Sequence, residues 1–301
     1  MIEISLGIKK KDIIAGYLFI LPWIIGFLAF IAFPVIMTLL LGFYEWNLLD
    51  PPKLVGVKNY VELFKDPLFW QSLKVTLFYA VLSVPLQLIF ALFIALLLER
   101  ECYGLSIYRA LYYLPSVLPG VAVALLWMWI FNPEFGILNF LLWKIFRIQG
   151  PAWLSDEHWV IPALVLMSLW GVGGGMIIYL GGLKNIPNQL YEAAELDGCN
   201  FWQRFRFITL PMLSPVVFFN VVIGIIGAFQ TFTQAYVMTN GGPNNATLFY
   251  VLYLYRNAFQ YLRMGYASAL AWILFLIVLV LTLSVFKSSS IWVYYEGEVR
   301  K

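Results

Sequence analysis

Long stretches without a charged side chain dominate this chain. They occupy 13–44, 75–98, 110–133, 159–183, 207–255 and 264–286, with lengths of 32, 24, 24, 25, 49 and 23 residues, 177 of 301 in all. A helix needs about 20 apolar residues to cross a hydrocarbon core of about 30 Å. Every stretch reaches that length, and none shows the alternation over about 10 residues expected of barrel strands. The 49-residue stretch is too long for one crossing, and Thr239-Asn240-Gly241-Gly242-Pro243-Asn244-Asn245, turn chemistry throughout, divides it. The pattern predicts an all-α polytopic membrane protein with six transmembrane helices near 17–43, 75–98, 110–131, 160–182, 213–237 and 266–286. Pro22, Pro34, Pro85, Pro115, Pro119 and Pro162 fall within or beside them, as packed membrane helices allow.

Composition agrees: 62% of residues are hydrophobic and 12% charged, against about 45–50% and about 25% for soluble domains. An ordinary cytosolic enzyme, a nucleic-acid binder and a disordered scaffold are excluded. The 32-residue first stretch exceeds a signal-peptide core and lacks a small-residue cleavage site, so it reads as a retained span. With residues 1–16 and 287–301 placed in the cytoplasm, the inner segments carry 11 Lys and Arg and the outer segments 8. That bias has the expected sign. Trp46, Trp70, Trp143, Trp153 and Trp159 gather on the outer side, as an interfacial aromatic belt would. Cys102 and Cys199 fall in inner loops without metal-ligand spacing, and the single His158 sits at an outer helix mouth.

The energy source is the next question. Ion-coupled carriers place ionisable residues inside their spans, and these six spans have none. No GxxxxGK[ST] phosphate loop is present, so the chain itself does not hydrolyse ATP. Gly171-Val172-Gly173-Gly174-Gly175 reads either as close helix packing or as a weakened helix that lets a solute approach backbone. A membrane enzyme would require buried acids, histidines or activated serines, and the spans hold only scattered hydroxyls. Asn245-Ala246-Thr247 matches a glycosylation sequon but reads as an accident of the polar turn.

The inner segment 184–212 is the most distinctive. Pro187 and Asn188 suit a helix start and Gly198 its end, with a second short helix near 200–208. The prediction is two short helices projecting from the membrane as a lever. Glu192-Ala193-Ala194, Gly198, then Ile208, Leu210 and Pro211 resemble the EAA loop of ABC importer permeases, with matching spacing. Cys199 stands where alanine is commoner. Leu54-Val55-Gly56-Val57-Lys58-Asn59-Tyr60, Thr239-Asn240-Gly241-Gly242-Pro243 and Gly265-Tyr266-Ala267-Ser268-Ala269 resemble stretches of sugar-type, maltose-F-like permeases.

The resemblance covers about residues 12 to 290. It implies the type I ABC importer permease fold, in a multi-pass subunit of a bacterial or archaeal cell (inner) membrane. Its implied partners are a second homologous permease, two cytoplasmic ATPase subunits and an extracytoplasmic sugar-binding protein. ATP and Mg would be held by the ATPase subunits, leaving no cofactor in this chain. Glu192, Ala193, Ala194, Asp197 and Gly198 would then couple to an ATPase.

For the solute path, Asn220, Gly224, Gly227, Thr231 and Gln234 follow spacings of 4, 3, 4 and 3, one face of a helix. Gln230 flanks the stripe, and Phe229, Phe232 and Trp170 are candidate stacking faces. The stripe suits hydrogen bonding to a neutral sugar or oligosaccharide, or polar helix packing; the resemblance favours the sugar. Absence of Lys and Arg from the spans argues against glycerol 3-phosphate, which stays as the alternative, with a secondary carrier behind it.

Overall fold

A computed structural model describes residues 10–100 and 103–294, with side chains from Ala15 onward. Cys102, Lys9, Arg300 and Lys301 lie outside the described residues. In chain order the helices are α1 (Lys10–Phe27), α2 (Phe33–Leu41), α3 (Lys58–Lys65), α4 (Pro67–Glu99), α5 (Leu105–Val117), α6 (Gly120–Ile130), α7 (Ile137–Phe146), α8 (Val160–Trp170) and α9 (Gly173–Lys184). They continue with α10 (Asn188–Leu196), α11 (Phe201–Arg204), α12 (Leu210–Met212), α13 (Ser214–Phe229), α14 (Tyr250–Tyr255) and α15 (Met264–Trp292). One two-stranded antiparallel ladder pairs β1 (Tyr44–Glu45) with β2 (Lys53–Leu54), Tyr44 opposite Leu54.

Among the described residues, three stretches are unbroken helices long and apolar enough to cross a membrane: Ala15–Leu41, Pro67–Glu99 and Met264–Trp292. Three further pairs qualify only when each is joined across a bend: α5 with α6 (100°), α8 with α9 (48°), and Phe201–Met212 with α13 (65°). Counting each pair once gives up to six crossings.

The charge-free runs do not fix the helix ends. α4 begins at Pro67 rather than near 75, because Asp66 accepts a hydrogen bond from the Leu68 amide at 2.8 Å and Pro67 opens the first turn. The stretch expected as one helix over 110–131 is two, since Pro119 drives Leu118 into extended backbone (ψ 144). The helix expected over 213–237 stops at Phe229. The last helix runs beyond 286 to Trp292.

The chain divides into two compact units: the described residues up to Lys65 with Asn257–Ile273, and Asp66–Arg256 with those from Leu274 onward. In the first unit, Asn59 donates from its amide to the Gly42 and Tyr44 carbonyls, each at 2.9 Å. Lys58 pairs with Glu45 at 3.0 Å, and that bond holds the Glu45 carboxyl below the usual carboxylate range. Arg263 pairs with Glu62, and the Met264 amide donates to the Trp46 carbonyl at 2.9 Å. At Gly265 an added Cβ would lie 1.7 Å from the Tyr44 oxygen, so only glycine fits. Lys58-Asn59-Tyr60 and Gly265-Tyr266, two separate motif segments, thus build one knot.

In the second unit α4 is the central post, packed against α8, α9, α13 and α14. Its core joins Ala91, Ile94, Ala95 and Leu98 to Met176, Tyr179, Leu183, Ile186 and Leu213. Around the Thr239–Asn245 turn, Asn240, Gly241, Asn244 and Asn245 take positive φ. The fully buried Thr247 hydroxyl donates to the Gly242 carbonyl at 2.7 Å. The sequon hydroxyl is therefore committed to turn structure.

Candidate functional site

Within the second unit, two of the three bends, α5–α6 and α8–α9, face one space, whereas the third, at Leu213, is buried in the core. A cavity of about 420 Å³ is lined by Tyr79 and Gln87 of α4, Leu118 and Gly120 at the α5–α6 bend, and Ser168, Trp170 and Gly171 at the α8–α9 bend. Gly224, Gly227, Thr231 and Gln234 close it from α13 and the turn beyond. A neighbouring pocket of about 130 Å³ shares Gln87, Gly171 and Gly224 and adds Gly175 and Asn220. No Asp, Glu, Lys or Arg lines either space among the described residues. Interrupted helices at membrane depth are tolerated where they line a cavity, because the freed backbone groups find partners there.

The residues of the predicted polar stripe do not share one helical face. Asn220, Gly224 and Gly227 lie on α13, which ends at Phe229; Thr231 and Gln234 reach the cavity only because the chain turns there. The Asn220 amide donates to the Val216 carbonyl at 3.0 Å, and the Thr231 hydroxyl reaches the Gly227 carbonyl at 3.4 Å. Two expectations need correction. Phe229 is only 2% exposed, packed into the core and absent from the cavity wall. Gln230 caps the end of α13 with its backbone and lies on the exposed side, also off the wall. Trp170 does line the cavity, its ring edge-on to Trp127 at 6.1 Å. Phe232 instead stacks on Tyr236 at 5.3 Å.

Sequence reasoning missed Gln87. It is uncharged, so the search for ionisable groups passed over it, yet it touches both spaces. An amide two residues after Pro85 in an apolar helix was the available signal. The glycine cluster divides between its two readings. A Cβ on Gly173 would meet the Tyr112 carbonyl oxygen at 2.5 Å, which is close packing, whereas Gly171 sits at the bend on the cavity wall.

The hairpin at 184–212 is built differently. Leu183 and Ile186 are buried in the core and anchor its base. At the end of α10 the Cys199 amide donates to the Ala194 carbonyl at 2.9 Å and the Gly198 amide to the Glu195 carbonyl at 3.0 Å. Gly198 has φ +77. This is a Schellman closure, in which the left-handed residue is normally glycine. Asn200 and Gln203 then form a reciprocal capping box over α11. Arg204 pairs with Glu195, and the Tyr191 hydroxyl shares a 3.0 Å hydrogen bond with Thr209. Burial pushes the Tyr191 hydroxyl above its ordinary value. Ala194 packs inward; Glu192, Ala193, Asp197 and Gly198 face outward, beside a Leu196 that is 90% exposed.

Broken apolar helices around an uncharged cavity, with a capped lever between two of them, define the permease of a type I ABC importer. The chain belongs to the family of binding-protein-dependent transport system inner membrane components, whose match spans residues 87–288. It is 48% identical to the probable ABC transporter permease protein YesP of Bacillus subtilis (strain 168), over 96% of this chain and 94% of that protein. It is 34% identical to the lactose transport system permease protein LacF of Rhizobium radiobacter, over 92% of this chain and 94% of LacF. Among solved structures it resembles a bacterial ABC transporter that imports the acidic polysaccharide alginate, with TM-score 0.81 and 26% identity over 93% of this chain and 96% of that one. It likewise resembles a bacterial alginate ABC transporter in complex with an alginate pentasaccharide-bound periplasmic protein, with TM-score 0.81 and 26% identity over 93% of this chain and 95% of that one.

Proposed function

We propose that this permease imports a neutral sugar or oligosaccharide, with ATP hydrolysis in partner subunits driving alternating access. The uncharged cavity carries this reading. Gln87, Ser168, Thr231 and Gln234 offer hydrogen-bond donors and acceptors without charge, and Trp170 and Tyr79 offer faces for a sugar ring. The sugar-named relative LacF supports the same class. The alginate importer favours a second reading, an acidic saccharide whose charge is met by other subunits.

In this mechanism two cytoplasmic ATPase subunits bind ATP and Mg, and one receives α10 in a cleft. Glu192 supplies charge, Ala193 allows close approach, and Gly198 fixes the angle at which the chain leaves the helix. Closure of the ATPases moves the lever, and the core-anchored Leu183 and Ile186 carry that movement to α9 and α13. A second, homologous permease completes the path, and an extracytoplasmic binding protein delivers the sugar. Both termini and the hairpin lie on the cytoplasmic side.

The test is reconstitution with the partner subunits and the cognate binding protein in proteoliposomes, with sugars and glycerol 3-phosphate offered in parallel. ATP-dependent uptake of a neutral saccharide is the expected result. ATPase stimulation by glycerol 3-phosphate alone would exclude the neutral solute, and uptake driven by a pH gradient without ATP would exclude the ABC mechanism.

A further inference from the structure

Helix α7 has no part in the solute path, and its chemistry is that of a membrane surface. Its 10 residues rise about 15 Å, half of a hydrocarbon core. It lies between the third and fourth crossings and α10 between the fourth and fifth, so the two occupy opposite faces of the membrane. Phe140, Trp143, Ile145 and Phe146 are all more than half exposed on it. Its two cations lie on aromatic rings, Lys144 over Phe140 at 5.6 Å and Arg147 over Trp143 at 4.8 Å. Exposed aromatics beside Lys and Arg mark the interface between headgroups and acyl chains.

Beside α7 lies a cavity of about 780 Å³ whose wall includes Trp129, Glu134, Phe140, Trp143 and Arg147. Its frame is tightly tied. The nearly buried Asn139 donates to the Pro133 and Pro151 carbonyls at 3.1 and 3.2 Å and accepts from the Trp153 indole at 2.7 Å. Gly150 is pressed so close that a Cβ would sit 2.0 Å from the Asn139 oxygen. Asn132 accepts from the Glu134 amide at 2.9 Å and sets that residue's backbone. The cavity thus presents one carboxylate and one guanidinium, with no ion pair between them among the described residues.

We infer that this cavity holds the zwitterionic headgroup of a phospholipid of the leaflet facing away from α10. Arg147 takes the phosphate and Glu134 the ammonium, while the acyl chains lie along the apolar face of α7. The ligand is of the phosphatidylethanolamine type, because its charges complement both side chains. A phosphatidylglycerol headgroup satisfies the arginine but offers the glutamate no cation. The inference does not depend on which solute is transported.

The test is native mass spectrometry of the delipidated full-length chain, titrated separately with phosphatidylethanolamine, phosphatidylglycerol and diacylglycerol. The wild type should retain phosphatidylethanolamine on the order of a hundredfold better than diacylglycerol, the effect of two lost charge-assisted contacts at about tenfold each. Arg147→Asn, chosen because asparagine tolerates the positive φ at this position, should remove about tenfold of that advantage, and Arg147→Lys should keep much of it. Glu134→Gln should narrow the gap between phosphatidylethanolamine and phosphatidylglycerol while leaving phosphate-dependent retention in place. Equal retention of phosphatidylethanolamine and diacylglycerol by the wild type would overturn the inference. So would soluble phosphoethanolamine binding as tightly as the lipid, because the occupant would then be a free solute. If Arg147→Asn does not fold, the wild-type lipid series and Glu134→Gln still decide.

Discussion

The hairpin and the cavity both interrupt long helices, but they treat their polar groups in opposite ways. In the hairpin the interruption is closed on itself: Gly198 completes a Schellman turn, Asn200 and Gln203 cap one another, and Arg204 pairs with Glu195. Around the cavity, Gln87 and Gln234 line the wall with amides that no described residue engages. Closed polar groups make a stiff element that can transmit a displacement. Open amides in an apolar surround make a place where a hydrogen-bonding solute gains what the protein lacks.

The comparison breaks most severely if the bends can be repacked. Gly173→Ala forces a methyl against the Tyr112 carbonyl, and overpacking of this kind costs about 1–3 kcal/mol. The expected result is a lower unfolding temperature in detergent together with lost transport, and an unchanged melting curve would show that α5 and α9 are not locked there.

Next in size, Gly198→Val sets a β-branched residue at φ +77, a cost of about 1–2 kcal/mol in backbone strain. Transport should fall more than uptake assays can recover by raising solute concentration, while solute binding at the cavity persists. Transport and complex assembly at wild-type levels would refute the coupling role.

Gln87→Leu and Gln234→Leu sharpen the contrast from the other side. Each should weaken solute binding by about 1 kcal/mol, roughly fivefold, with stability unchanged or slightly raised because the lost amide had no partner. A drop in stability without a change in affinity would make these residues structural. Smallest of all, Gln230→Ala, off the cavity wall, should stay within about 0.5 kcal/mol of wild type in stability and leave transport unaltered.

Most of the helical framework could be read from the chain because charge at membrane depth is costly, so Lys74, Glu99, Arg206 and Arg263 border apolar helical stretches. Direction could not be read in this way. A run such as 110–133 has the same hydropathy whether straight or bent through 100°, and Pro119 showed only where a bend was allowed. The cavity lining was partly legible for a related reason. Helical spacing picked Asn220, Gly224 and Gly227, which line the two spaces, then continued past the end of α13, where Gln230 is exposed and off the wall. Phe229 was chosen for its ring, which no sequence pattern could show to be buried. Gln87 belongs to α4, a helix that contributed no pattern of its own, and only tertiary packing brings it to the cavity.

Gly198 carries a consequence beyond its flexibility. Apart from its own chain neighbours, no described residue lies within 4 Å of the Cβ that an L-residue would place there, so the hairpin demands handedness at this position and not smallness. Positive φ is the natural region of a mirror-image amino acid. A D-alanine introduced at 198 by chemical ligation would keep the turn and still add a methyl group at the surface of the lever. If such a protein transported normally, the glycine would serve the chain alone; if it folded but did not transport, the missing side chain would be clearance reserved for whatever seats against α10.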